Sequence, residues 1–233
     1  MRSTVEGALA DHVEQLTSSS QFRRLEHGEA SQEEYDRFIA NVIRTHVKSP
    51  QVVAFLYAFA PPDAADDLLH NLLEEVGIEE ESGVAHPAML GDLAAGAGLA
   101  PVLPELERLA AEDLRSIVSD PLLYGTLKEV GLAALCEVVA FEFMLSRVAS
   151  RVERALEAHR GLAPEALEWF HHHSEVDIAH AEQGLQHIED YVHHYAITDD
   201  DAVSIIELTL RENVFIRRYF TLVSPTTASA AGG

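Results

Sequence analysis

The sequence predicts an all-α helical bundle. Apolar residues recur at helical spacing almost throughout, the alternating β-branched runs and hairpin turns of strands are missing, and several segments start with helix caps. The chain has 233 residues, 47% of them hydrophobic, which is enough for one sizeable core.

Helices are predicted over 4–18, 31–47, 49–59, 63–76, 86–97, 103–118, 121–158, 164–196 and 199–220. Ser31, followed by Glu33 and Glu34, caps the second. Pro164, after Ala163, suits a helical first turn, and Asp199 and Asp200 put negative charge at the N-terminus of the last helix. Gly77, Gly83 and Gly161 stand where breaks are needed. Neither an internal repeat nor an interdomain linker is visible. One helical-bundle domain is expected over 1–222, with 1–25 as a peripheral helix and a small, polar, disordered tail over 223–233.

Charge and composition narrow the function. Sixteen Lys and Arg stand against 39 Asp and Glu, a formal net charge of −23. Such a surface repels nucleic acid and anionic membranes, so neither is an expected partner. No run of about 18 apolar residues exists to span a bilayer. The first residues alternate charged and apolar side chains, unlike a signal peptide, and the one cysteine, Cys136, fits a reducing compartment. A cytoplasmic location is expected.

The most informative chemistry is His173, Asp177 and His180, spaced by four and three residues. At about 100° per residue they fall within about 60° of each other on one helix face. Two imidazoles and a carboxylate on one stripe need partners if buried, and a first-row transition metal suits them. Two other regions offer further ligands. Asn71-Leu-Leu-Glu-Glu-Val-Gly77 is followed by His86-Pro87, so Glu75 ends one helix and His86 opens the next. The long apolar helix Gly131–Leu145 holds Glu137 and Glu142, each costly there unless paired or ligating. The set is then Glu75, His86, one of Glu137 or Glu142, His173, Asp177 and His180. That exceeds the needs of one catalytic zinc and suits two irons sharing a carboxylate bridge in a bundle.

The H-x-x-x-D-x-x-H stripe, the N-L-x-E-E-x-G segment with its later H-P, and the Glu on the intervening helix resemble the haem-oxygenase-like di-iron oxidases, also called iron-containing redox enzymes. These share a fold with the thiaminase II and PqqC proteins. The resemblance covers roughly 30–220, and Leu93-Ala-Ala-Gly-Ala-Gly-Leu99 fits it too. It implies a haem-oxygenase-like bundle of about seven core helices. It implies that Glu75, His86, Glu142, His173, Asp177 and His180 hold two ferrous ions, with dioxygen as co-substrate. Glu142 is preferred to Glu137 because its interval of 31 residues to His173 resembles the family's. Helix geometry leaves that choice open, since the two glutamates are about 140° apart and both flank the apolar face. Glu74, Glu79 and Glu81 are substitutes for Glu75. The resemblance further implies oxidation of a small organic substrate, amino-acid-like by family frequency, through N-oxygenation, C–C cleavage or desaturation in specialised metabolism. A homodimer is an expectation of the fold. The alternatives are a cofactor-free oxidase of the PqqC type and a non-enzymatic metal-binding scaffold.

Simpler roles are expected elsewhere. His171 and His172 point about 100–200° away from His173. His187 and Tyr191 return to its stripe and would either line a cavity or pack in the core. Glu79-Glu80-Glu81 is expected as a charged loop, Glu182 and Glu189 as solvated, Cys136 as a small core residue, and Arg147, Arg151 and Arg154 as a solvated face. Cys136 gives no support for thiaminase-type cysteine chemistry. Among the early histidines His12, His27 and His46, only His46 suits a proximal haem ligand, and it would leave the later set unexplained.

Overall fold

The computed structural model describes residues 1–79, 83–119, 126–211 and 214–222, without the side chains of 116–119, 175–179 and 214. Among the described residues every regular element is helical. The order is α1 (Arg2–Ser18), α2 (Ser20–Glu26), α3 (Gln32–His46), α4 (Ser49–Ala58), α5 (Ala65–Glu75) and α6 (His86–Gly96). There follow α7 (Leu103–Ser119), α8 (Leu127–Ala155), α9 (Glu168–His194), α10 (Asp199–Leu210) and the short α11 (Val214–Ile216). The arrangement is an all-α bundle, as the sequence predicts.

Local chemistry explains the boundaries. Ser31 closes a capping box on α3: its hydroxyl accepts from Glu34 N, and Glu34 reaches back to Ser31 N at 2.7 Å. Thr126 and Glu129 form the same device at the start of α8. The predicted start of that helix, at 121, lies outside the described residues, as does the predicted tail over 223–233. α8 ends in a π-helical turn, Leu156–Arg160, stopped by Gly161 at φ +71°.

Three details differ from the pattern-based reading. Ser20–Glu26 is a separate helix: Ser19 caps it by accepting from Phe22 N, and Phe22 and Leu25 are buried. Pro164 opens a 3₁₀ turn, Pro164–Ala166, and α9 starts only at Glu168. The helix predicted over 199–220 is two pieces, α10 and then α11, which runs into a π-helical turn, Arg217–Thr221. Asn41, fully buried on α3, holds that wide turn by donating to the Tyr219 carbonyl at 3.1 Å.

α8 and α9 form the antiparallel centre. Their approach is close: a Cβ on Gly184 would lie 2.7 Å from Val139, and one on Gly131 would lie 2.1 Å from the Tyr191 hydroxyl. α1 crosses α8, α9 and α10 with Val5, Leu9 and Leu16 buried. The α4–α5 pair lies against α8, and α3 packs on α6 and α7. One apolar cluster runs from Val5 to Tyr219 and includes Tyr35, Met89, Leu132 and Trp169. Each large side chain buried there contributes roughly 2–3 kcal/mol of transfer free energy. Bidentate ion pairs tie α3 to α7 (Arg44–Asp113, 2.7 and 2.8 Å) and α8 to α2 (Arg151–Glu26, 2.6 and 2.8 Å). Arg151 is therefore not part of a purely solvated face. No helix among the described residues is long and apolar enough to cross a membrane.

Candidate metal centre

The site forms where the C-terminus of α5 and the start of α6 meet the middle of α8 and the first half of α9. The link between α5 and α6 sets it. Gly77, at φ +76°, ends α5 with Gly77 N bonded to Glu74 O and Ile78 N to Leu73 O, the αL stop that glycine permits. The returning chain then passes against it, since a Cβ on Gly77 would meet Ala85 N at 2.6 Å. This close passage sets His86 beside Glu75, with His86 Nδ1 3.3 Å from Glu75 Oε1. Both are buried, and Ser49 Oγ donates to the other oxygen of Glu75 at 2.5 Å.

The adjacent Glu74 faces a different histidine. Its Oε2 lies 3.3 Å from His180 Nε2, and its Oε1 lies 3.2 Å from His70 Nε2. Burial pushes the Glu74 carboxyl up, but His180, His70 and His172 outweigh it and hold the group below the usual glutamate range. His70 continues outward to Glu79, and these two acids raise its pKa, Glu79 foremost. The expected charged loop thus has at least one member, Glu79, in an ion pair.

Glu142 approaches from α8. Asn71 donates to its Oε1 at 3.1 Å. Burial pushes its carboxyl up; His180 and Asn71 oppose this, while Glu75 and Glu74 reinforce it. Glu142 lines the same cleft as Asn71 and His180. Glu137 points elsewhere, with Arg218 donating to its Oε1 at 2.8 Å.

His173 completes the described set. Its Nδ1 lies 2.7 Å from Trp169 O. A carbonyl only accepts, so Nδ1 carries the proton and Nε2 keeps its lone pair. Burial and the neighbouring His86 hold the ring well below the usual histidine pKa, hence neutral. Its ring centroid is 4.9 Å from that of His86 and 4.2 Å from that of Trp169. His172, expected to point away, also packs on His86 at 4.9 Å. Asp177 lies between His173 and His180 on α9, and its side chain is outside the described residues. His171 is exposed on the outer face, 3.6 Å from Glu153.

Early in the chain, His46 is buried with Nε2 2.8 Å from the Tyr219 hydroxyl, and burial pushes it down to about 3. Its bond to Tyr219 and its packing against Phe141 and Trp169 give it a core role.

Two carboxylate–imidazole pairs, Glu75–His86 and Glu74–His180, therefore stand on consecutive residues of one helix end, with Glu142 beside them. Sequence reading ranked Glu74 only as a substitute. Two adjacent acids at a helix C-terminus do not reveal which neighbour each meets. Among the described residues, no group of three or more acids, histidines or cysteines is gathered closely enough to hold a metal ion as it stands. The chemistry of the donors nonetheless fits iron: mixed carboxylate and imidazole, a neutral His173 with a fixed tautomer, and acids shielded from water. A small cleft, partly open to solvent, adjoins Glu142 and His180, and its walls include Val53, Leu68, Leu135, Val138 and Val139.

An all-α bundle carrying buried carboxylates and imidazoles on facing helices defines a class of metal-dependent helical proteins. The sequence matches the model of the iron-containing redox enzymes over residues 36–211, and the chain belongs to that family. The matched span contains all six residues expected as ligands. The family makes the protein an oxidoreductase that uses iron. No curated protein matches the sequence.

Proposed function

We propose that the protein is a non-haem di-iron oxidase or oxygenase that uses dioxygen on a small, amino-acid-like substrate in the cytoplasm. The observation that carries this reading is the side-by-side placement of Glu75–His86 and Glu74–His180, with Glu142 coupled to both. Two such pairs, with a third carboxylate lining the same cleft as His180, suit two metal ions rather than one.

Glu75, His86, Glu142, His173, Asp177 and His180 would hold the irons, with Glu74 added by its contact with His180. Bound ferrous iron supplies the electrons and open coordination positions that dioxygen chemistry requires. The chain's own contributions are distinct. The Trp169 carbonyl orients His173 and presents Nε2. Ser49 and Asn71 orient Glu75 and Glu142. Glu142, with its raised pKa, gives up any proton it holds when it becomes a ligand. The apolar walls of the cleft limit water at the reacting end. N-oxygenation, C–C cleavage and desaturation are the candidate outcomes.

Anaerobic titration with ferrous iron, followed by exposure to oxygen in a stopped-flow spectrometer, tests the proposal. Two irons per chain and a transient visible absorption band are the expected result. A protein that takes up no iron specifically rejects it in favour of the cofactor-free or scaffold readings.

A further inference from the structure

A row of aromatic rings leads away from the site through the core. The ring of His173 lies over that of Trp169, with centroids 4.2 Å apart and planes inclined by 35°. Trp169 in turn packs against His46 at 4.9 Å. His46 Nε2 is 2.8 Å from the Tyr219 hydroxyl, and the centroids of those two rings are 5.9 Å apart. His173, Trp169, His46 and Tyr219 are all buried. Tyr219 belongs to the π-helical turn Arg217–Thr221, whose end residues, Arg217 and Thr221, are exposed. The row thus runs from an expected iron ligand to the inner side of a surface turn.

Packing alone does not call for these residue types. Phenylalanine or leucine would fill the places of His46 and Tyr219 without burying an imidazole and a phenol. Trp169 is the only tryptophan of the chain. Indole and phenol are the side chains that give up a single electron most readily after thiols. Electron tunnelling falls off steeply with distance, so rings in contact pass a charge in short hops. A phenol is oxidised readily only when a base takes its proton. Burial keeps His46 neutral, and a neutral imidazole with its proton on Nδ1 accepts from the hydroxyl at Nε2.

We infer that Trp169, His46 and Tyr219 form a one-electron relay that draws an oxidising equivalent away from the iron site when no substrate is there to consume it. This rests on the proposed dioxygen chemistry, which supplies the oxidant. The oxidant gains one electron from the Trp169 indole. The Trp169 radical cation then gains one electron from Tyr219, while the Tyr219 O–H bond breaks and its proton passes to His46 Nε2. The indole is restored. The relay ends with a neutral tyrosyl radical beside an imidazolium, in the turn and away from the ligands. The contact between His173 and Trp169 sets the first hop.

The experiment uses the full chain without iron. A laser flash at the red edge of tryptophan absorption, where tyrosine is transparent, ionises Trp169 alone. The broad visible band of the tryptophanyl radical should decay as the narrow near-ultraviolet band of a tyrosyl radical grows, at one rate that is independent of protein concentration. Tyr219→Phe should abolish the tyrosyl band and prolong the tryptophanyl one, whereas Tyr35→Phe should change neither. His46→Phe should slow the transfer, because the phenol then lacks its proton acceptor. Tyr219→fluorotyrosine keeps the hydroxyl and the shape of the ring, and the fluorine should split the electron paramagnetic resonance spectrum of the freeze-trapped radical. An unsplit tyrosyl spectrum in that protein, or wild-type kinetics in Tyr219→Phe, overturns the relay. Because the assay contains no iron, a missing transfer strikes the relay and leaves the metal reading standing, whereas failed iron uptake strikes the metal reading.

Discussion

Glu75 Oε1 and His86 Nδ1 meet at 3.3 Å although they are eleven positions apart in the chain. The contact depends on a third residue that lies between them in the chain. Gly77 stops α5 in the left-handed region and lets the backbone at Ala85 pass against it. Gly77→Ala should therefore cost roughly 1–3 kcal/mol of stability, from αL strain and from the clash with Ala85 N. It should also lower iron affinity by about tenfold or more, as loss of ligand orientation does. Denaturant melts and iron titration of this variant give the two numbers. Unchanged iron affinity would show that the Glu75–His86 contact is not needed for binding.

His173→Ala and Asp177→Ala should each reduce iron uptake and oxidase activity by about a hundredfold or more, the scale expected for losing a ligand. Helicity by circular dichroism should stay near wild type. Collapse of the helical signal in both variants would assign this stripe a structural role instead.

The choice between the two glutamates of α8 is open to direct comparison. Glu137 is engaged by Arg218, so Glu137→Ala should cost about 1 kcal/mol for a partly shielded ion pair and leave iron binding intact. Glu142→Ala should remove one iron per chain. Equal iron loss in the two variants would sink this assignment.

Acid stability follows from His46. Its pKa in the folded protein, about 3, lies below the usual 6.5. Between these values the unfolded chain takes up a proton that the folded chain refuses. The contribution is therefore complete above pH 6.5 and is lost progressively as the pH falls towards 3. At full expression it amounts to about 4–5 kcal/mol. Neutral His173 acts in the same direction. Urea melts at pH 7, 5 and 4 should show a steep loss for wild type and a shallower one for His46→Phe/Tyr219→Phe, which removes both hydrogen-bonding partners. Parallel slopes would exclude His46 as a source of acid lability.

Legibility of the chain varied with the range of the interactions. Helix starts governed by neighbours three residues away, such as the Ser31–Glu34 box, were readable directly. So was the buried side of His173, because helix periodicity alone places it. The break after α10 was not: Asn41, far away on α3, holds the Tyr219 carbonyl of the wide turn beyond it. Pro164 was correctly seen as a starting residue, but local sequence does not distinguish a 3₁₀ turn from the first turn of α9. In the site, Glu142 meets Asn71 and Glu137 meets Arg218, a difference that helix phase alone could not decide. Glu74 and His172 were undervalued because their partners, His180 and His86, come from other elements or depend on the path after Gly77.

Cys136 sits midway along α8, 2% exposed, its thiol pushed up by burial far from the reactive thiolate form. Reagents that attack thiolates should leave it untouched while the bundle is closed. Alkylation of this residue would then proceed only through opening of the central helix pair, and its rate would serve as a clock for that opening. Because the chain has no other cysteine, the clock would run without background, and any slowing on addition of iron would report how far the metal locks the core.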